Sequence, residues 1–206
     1  MQPRRAGLLA VTLLTWSCAG PPDLPGVPTP ELAGDDVAVL TAALDGALRG
    51  GHRKADAIRP AHLVTPDRTI PVCDPPQVQP LSYECLGASE LRTIDAMMHE
   101  SFGAIGPATF RGRNRSSHGV HGEVDDLQIV SGAWLLDLLR QPLWPWTFSS
   151  EVPGKRGVVI FSAPVFPAPG RAAVYVLHVL NAAAVVDLAR NGAEWQVQAV
   201  RHLWVR

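Results

Sequence analysis

The sequence predicts an α+β fold in which N-terminal helices pack on one face of a C-terminal four-stranded antiparallel meander. Apolar residues recur at helical spacing in the first half of the chain, and four β-like runs separated by turn residues follow Gly157. The pair Asn191-Gly192, which lies between the last two runs, is the strongest short hairpin signal available. We therefore expect one α+β domain over residues 35–206.

Residues 1–18 have the layout of a bacterial export signal. Two arginines give a positive start, and the apolar run at 6–16 is shorter than the roughly 20 residues that span a bilayer. Two processing routes stay open: Cys18 becomes a lipid-carrying N-terminus, or signal peptidase cuts after Ala19. We expect an exported protein of the bacterial cell envelope (periplasm or outer membrane), with the membrane as its partner through a lipid on Cys18.

The segment after the signal is interpreted as a tether, residues 19–34. Five prolines fall within residues 21–30 and favour an extended, semi-rigid chain. Loss of residues 1–17 removes two arginines, so the 18 basic residues become 16 beside 19 acidic ones, a formal charge of −3. No basic run is long enough for general nucleic-acid binding, and no nucleic-acid partner is expected.

Helices are predicted from caps and apolar spacing. The first covers 35–49, begins at an Asp-Asp cap and ends at a Gly-Gly pair. A second begins at Ser89, and a third, short helix opens at Pro107 and runs into the polar stretch 111–117. Residues 134–139 are predicted as a short buried helix, whereas the proline-rich segment 142–156 is interpreted as a loop.

Strands are predicted where β-branched and apolar residues cluster between turn residues. Two short candidates lie at 62–64 and 127–130. The four runs of the meander cover 158–161, 172–179, 184–189 and 194–203. Alternation in the last run places Trp195, Val197 and Ala199 on one inward face.

Cys73 and Cys85 are the two cysteines left after Cys18. In an exported protein such an even pair predicts a disulfide. A metal pair or two free thiols are the alternatives. A bridge here would hold a proline-rich segment that lacks the periodicity to order itself.

Residues 35–206 resemble, over most of their length, an uncharacterised group of bacterial exported proteins. The resemblance lies in FSAPVF at 161–166, RAAVYVLHV at 171–179 and AEWQVQAVRHLWV at 193–205, with ATFRGRNRSS at 108–117 upstream. Many members carry a Gly- and Cys-rich turn after the Val-Tyr strand, where this chain has LHVLNAAA. The resemblance implies an exported location and the predicted fold, and it implies no established activity.

Residues 118–126 hold two imidazoles and three carboxylates. Imidazole and carboxylate together suit zinc or another transition metal, so His118, His121 and Glu123 form a candidate metal site. The pattern lacks the glutamate that follows the first histidine of zinc peptidases. A solvated polar loop is the alternative, and no cofactor is expected unless zinc binds here.

The segment RGRNR offers Arg111, Arg113 and Arg115 as an anion-binding candidate. Guanidinium groups bind phosphate or carboxylate through two parallel hydrogen bonds, and alternate arginines in an extended segment would point the same way. A lipid head group or a polysaccharide would suit such a site. A solvated helix end is the alternative.

Catalytic motifs are absent from the sequence, so no catalytic residue is predicted. There is no Gly-x-Ser-x-Gly and no phosphate-binding glycine loop. The sequence therefore favours a non-enzymatic binding or structural module. A metal-binding protein or metal-dependent hydrolase, and an accessory subunit or inhibitor of another envelope protein, are the alternatives.

Overall fold

The computed structural model describes residues 29–49, 59–74, 83–121 and 124–205, and it confirms an α+β fold. Five α-helices and seven strands lie in this part of the chain. In order they are α1 (Gly34–Arg49), β1 (Leu63–Pro66), α2 (Ala88–Phe102), α3 (Ile105–Arg113), β2 (Gln128–Val130), α4 (Gly132–Leu139), α5 (Trp144–Glu151), β3 (Gly157–Phe161), β4 (Val165–Ala168), β5 (Arg171–His178), β6 (Ala182–Asn191) and β7 (Glu194–Val205).

The strands join one mixed sheet in the order β2-β1-β3-β5-β6-β7, with β4 beside β5. The predicted meander is present as β3, β5, β6 and β7, each antiparallel to the next. The sheet is larger than the four-stranded meander predicted, because β1 pairs in parallel with both β2 and β3; these two added strands correspond to the short candidates at 62–64 and 127–130. The sequence also does not predict β4, whose four residues include a proline.

Helices cover both faces of the sheet, which corrects the prediction of helices on one face. Leu40 of α1 shares a core with Val174 of β5. Ile94 of α2 shares the other core with Tyr175, the next residue of the same strand. Since successive side chains of a strand point to opposite faces, the central strands are buried on both sides and read as continuous apolar runs.

The helix α5 lies inside the segment 142–156 that the sequence predicts as a loop. A proline near the start of a helix is compatible with helical geometry, because the first N–H groups have no partner within the helix. Pro145 occupies that position, and the buried Phe148 fixes the helix to the core of α2 and α4. The loop prediction is therefore wrong for residues 144–151.

The edge strand β7 contains two β-bulges. Its register against β6 shifts once at Gln198 and again at Leu203, where one extra residue enters the strand. After the first bulge, Val200 and not Ala199 continues the apolar face that Val197 begins. The inward alternation predicted for Ala199 is wrong for this reason, since an added residue reverses the side to which later residues point.

The disulfide between Cys73 and Cys85 is confirmed, with a Cα–Cα distance of 5.0 Å. Both half-cystines are buried. The backbone N–H of Cys73 donates to Leu86 O, and the N–H of Leu86 donates to Pro71 O. The bridge thus joins the chain after β1 to the chain before α2.

Residues 30–32, which the sequence assigns to the tether, pair with the domain. The N–H of Gly119 donates to Pro30 O, and the N–H of Leu32 donates to Gly119 O. Cys18 lies outside the described residues. None of the helices within the described ranges has the length and apolar character needed to cross a membrane.

Candidate functional site

The arginines of the RGRNR segment do not converge. Arg111 and Arg113 belong to α3, where residues two apart point to different sides, so this part of the segment is helical and not extended. Arg111 binds Asp95 of α2 on the exposed surface, and this hydrogen bond raises the pKa of the Arg111 guanidinium. Arg115 follows α3 and is exposed.

Arg113 binds Asp36, which lies 77 residues away in the chain. Its Nη2 donates to Asp36 Oδ2 at 2.9 Å, and the two side chains are 38% and 3% exposed. The same carboxylate oxygen accepts the backbone N–H of Ala33 at 2.8 Å. Asp36 therefore caps α1 from its first turn and also holds an arginine of α3.

This ion pair leaves buried polar atoms without partners. Asp36 Oδ1 and Arg113 Nε are both buried, and neither has a hydrogen-bond partner in the described part of the chain. A buried, unpaired polar atom costs about 1–3 kcal/mol, and charged groups cost more. Such atoms call for a specific explanation.

Asn114 ends α3 and holds it against the sheet. Its side-chain oxygen accepts the N–H of Ala163 at 2.7 Å, and its amide donates to Ala163 O at 3.2 Å and Phe110 O at 3.1 Å. The N–H of Val72 donates to Asn114 O at 2.7 Å. Asn114 is therefore structural: it joins α3 to the break between β3 and β4 and fixes the position of Arg113.

A pocket of about 450 Å³ opens beside the Asp36–Arg113 pair. We name it the aspartate–arginine pocket. It lies between the start of α1, the end of α3 and the start of β4. Its walls are Ala33, Asp35, Asp36, Thr109, Arg113, Pro164, Val165 and Phe166.

A second concavity of about 390 Å³ shares Asp35 and Phe166 with the aspartate–arginine pocket. Phe166 is exposed and packs on Trp195, with ring centroids 5.8 Å apart. Arg190 lies over the other ring of this pair, Trp195, at 5.7 Å, and its Nη1 donates to Asp35 Oδ2 at 3.3 Å. The joined surface therefore carries two aspartate–arginine pairs and two aromatic rings.

The predicted metal ligands have different surroundings. His118 is buried, and its backbone exchanges two hydrogen bonds with Thr69, each 2.9 Å long. His121 is exposed and lies 4.0 Å from Glu31. Glu123 lies outside the described residues, and within the described ranges no three potential ligands form a group that could hold a metal. The metal site stays a prediction.

The side chain of His118 lies near the Asp36–Arg113 pair. Burial lowers the pKa of His118, and the Arg113 charge lowers it further; a hydrogen bond to the backbone of Ser116 and the charge of Asp36 act in the opposite direction. Its Nδ1 is buried without a partner among the described residues. The lowered pKa favours the neutral form of the imidazole beside this cluster.

Sequence reasoning found one wall of this pocket and missed the others. Arg113 was predicted as an anion ligand, and Asp36 only as a helix cap. Phe166 could have been noticed as an aromatic residue between two prolines, Pro164 and Pro167, which favour an exposed turn-rich segment.

Comparison with known proteins adds no family or relative. No family model, no curated protein and no solved structure matches this chain.

Proposed function

We propose that this protein is an exported, lipid-anchored binding module of the bacterial cell envelope, and that its ligand site is the aspartate–arginine pocket. The export signal at residues 1–18 and the Cys18 lipidation site support the location. The proposal for the role depends on one observation. A buried carboxylate, paired with a half-buried guanidinium and leaving polar atoms unpaired, borders a pocket of about 450 Å³.

The charges of the pocket favour a zwitterionic ligand with an apolar part. Arg113 presents a guanidinium, Asp35 and Asp36 present carboxylates, and Pro164 and Phe166 supply an apolar wall. A purely anionic ligand would meet the two carboxylates, and a purely cationic one would meet the guanidinium. An apolar amino acid carries one charge for the guanidinium and one for the carboxylates. It is also small enough for a pocket in the usual size range of about 300–1,000 Å³.

The ligand test compares matched small molecules. Thermal unfolding and calorimetric titration of the full chain in mild detergent use L-phenylalanine, 2-phenylethylamine and 3-phenylpropanoate. We expect L-phenylalanine to bind at least about tenfold more tightly than either analogue, since each analogue lacks one charge-assisted hydrogen bond. Equal affinity for all three would contradict the zwitterion.

Two arginines of the same helix give a matched pair of variants. Arg113→Lys keeps the charge beside Asp36 but loses the planar fork that binds a carboxylate at two points. We expect binding of L-phenylalanine to weaken by about tenfold. Arg111→Lys, on the surface beside Asp95, should leave it unchanged. Equal effects of both variants would exclude the pocket as the site.

The anchor has its own test. Cys18→Ala should release the protein from membranes in fractionated cells, and the wild-type N-terminus should carry the mass of a lipid. Membrane retention of the variant, together with a wild-type mass that lacks lipid, would exclude lipid anchoring. This result is independent of ligand binding.

The metal-binding alternative is supported by the unpaired Nδ1 of His118. Metal content of the wild-type chain and of the His118→Ala/His121→Ala variant tests it. Near-stoichiometric zinc or iron that disappears in the variant would replace the present proposal with a metalloprotein or metal-dependent hydrolase. Absence of metal from both would remove this alternative.

The accessory-subunit or inhibitor alternative would use the edge of the sheet. β7 has 12 residues and pairs with β6 alone among the described strands. Bulges on an edge strand interrupt the row of backbone groups that a second chain would need. Because β7 carries two of them, we favour the pocket over this edge.

A further inference from the structure

The start of α5 carries an exposed apolar surface, residues 142–146 (PLWPW), which we name the apolar tip. Leu143 is 66% exposed and Trp146 is 79% exposed. Both prolines of the tip are also exposed. Large apolar side chains exposed next to one another mark an interaction surface more often than scattered single residues do.

The apolar tip is free of charge along the sequence. Residues 141–150 contain no acidic or basic residue. Arg140, just before the tip, is held by Asp137 at 3.1 Å and by Glu84. Glu151, just after it, accepts a hydrogen bond from Trp134 Nε1 at 3.1 Å. The charge of Arg140 is therefore compensated within the domain, Glu151 is held by a hydrogen bond, and the uncharged tip between them has a low desolvation cost.

The apolar tip is fixed to the core of the domain through Trp144. Trp144 is half-buried and meets the ring of the buried Phe148 edge-on, with centroids 6.1 Å apart. The N–H of Trp146 donates to Leu143 O at 3.1 Å, so the two exposed residues belong to one closed turn. The exposed side chains are thus carried by a folded element rather than by the chain outside the described ranges.

The tip lies within reach of the proposed anchor. The chain from Cys18 to Thr29 can span at most about 40 Å. From there, contacts run from Glu31 to Gly119, from Gly119 to Arg68 and from Arg68 to the region of Gly132. α4 starts at Gly132 and extends about 12 Å toward the tip, so a domain tethered at Cys18 can bring the tip to the bilayer.

We propose that the apolar tip inserts into the interface of a phospholipid bilayer and is a second contact between the domain and its membrane. Tryptophan is enriched at the headgroup level, where its ring is apolar and its N–H can still meet polar groups. A lipid interface also accepts Leu143 without requiring a complementary charged partner. The inference uses the proposed lipid anchor only to bring the domain to the bilayer.

Depth-dependent quenching tests the proposal. The full protein is reconstituted into phosphatidylcholine vesicles that carry bromine near the headgroup or near the bilayer centre. The difference between wild type and Trp146→Phe isolates the emission of Trp146 from that of the other tryptophans. We expect at least about twofold quenching of this difference by the shallow bromolipid and less by the deep one, since interfacial side chains reach about 5–10 Å into the bilayer.

A matched variant separates the tip from other apolar surface. Ile105, at the start of α3, is 59% exposed and lies outside the tip. Ile105→Ser should leave the Trp146 quenching unchanged, whereas Leu143→Ser should reduce it. Because these residues are exposed, the thermal unfolding midpoint of each variant reports whether the fold is intact.

Three results would overturn the proposal. Trp146 emission could be insensitive to both bromolipids, Ile105→Ser could reduce the quenching as much as Leu143→Ser, or Leu143→Ser could dissolve a protein dimer without changing the quenching. The mass of the N-terminus reports the lipid anchor separately. If it shows no lipid, the protein is added to preformed vesicles and the same outcomes decide.

Discussion

Asp36 and Asp187 are two buried aspartates that meet an arginine in different ways. Asp36 begins α1 and binds Arg113 at 2.9 Å. Asp187, in β6, accepts the hydroxyl of Ser101 at 2.7 Å and lies 3.7 Å from Arg201 Nε. In both residues Oδ1 is buried without a partner among the described residues. The two clusters therefore start from the same chemistry.

The two clusters differ in the number of carboxylates that bind the arginine. Arg201 also binds Glu100 at 2.8 Å, so two carboxylates share its charge. Arg113 binds Asp36 and lines a pocket. Arg201, held by two carboxylates, joins β7 to α2. Arg113, held by a single carboxylate, can donate to a further acceptor group. We therefore expect an aspartate–arginine pair to bind a ligand only where the arginine keeps one edge for that ligand.

The largest loss of stability is expected when the Asp36–Arg113 pair is removed. Arg113→Ala should lower the free energy of unfolding by about 3 kcal/mol, because it leaves a buried carboxylate without its countercharge. Arg201→Ala should cost about 1 kcal/mol, since Arg201 Nε is 3.7 Å from Asp187 and Ser101 stays bonded to that carboxylate. Urea unfolding of both variants measures the difference. Equal losses would show that the two arginines have the same role.

A smaller loss of stability is expected when Ser101 loses its hydroxyl. Ser101→Ala should lower the free energy of unfolding by about 2 kcal/mol, because a hydrogen bond to a buried charged group is lost. Ser149→Ala, where an exposed hydroxyl bonds Pro145 O at 3.0 Å, is the matched control and should change stability little. If Ser149→Ala lowers the free energy of unfolding as much as Ser101→Ala does, the hydrogen bond to Asp187 is not the cause of the loss.

A pH effect is expected at the first cluster. Burial and Arg113 lower the pKa of His118, so the unfolded chain binds the proton more readily than the folded one. The resulting stability is complete above the ordinary histidine pKa of about 6.5 and is lost as the pH falls below it. Unfolding of wild type and His118→Gln between pH 5 and 8 should show a steeper acid loss in wild type. Parallel curves would contradict this.

The smallest expected effect on stability concerns the pocket wall. Phe166→Ala should cost about 1 kcal/mol, because the ring is exposed on one side and keeps only part of its burial with Trp195. Its effect on L-phenylalanine affinity should be larger, about tenfold, since the apolar wall of the pocket is lost. An unchanged affinity would move the ligand away from this wall.

Local patterns predicted the elements better than their partners. The helix predicted at 35–49 is observed at Gly34–Arg49, and the four predicted runs of the meander are all strands. Parallel pairing of β1 with β2 and β3 depends on long-range contacts that no short window contains. The sequence does not predict α5, because Pro145 is typical of a loop unless it is known to lie in the first turn of a helix.

The candidate site was only partly predictable for the same reason. Arg113 stood out because it lies in an arginine-rich segment, but its partner Asp36 is 77 residues away. The burial of His118 and the structural role of Asn114 depend on the break between β3 and β4 and on Thr69. Sequence reasoning therefore named a segment that borders the proposed pocket and could not show which of its side chains line that pocket.

The two bulges of β7 let this strand lose a residue without exchanging its faces. Arg201 reaches Asp187 on one face, while Val197 and Val200 pack on the other. Gln198 is the extra residue of the first bulge, so Val197 and the residue after Gln198 pair with consecutive residues of β6. Deleting Gln198 would leave a regular strand in which every later side chain keeps its face, whereas deleting Val200 would turn Arg201 toward the apolar core under α1. The bulge is therefore spare length in the strand, and β7 should tolerate the loss of Gln198 better than the loss of a paired residue.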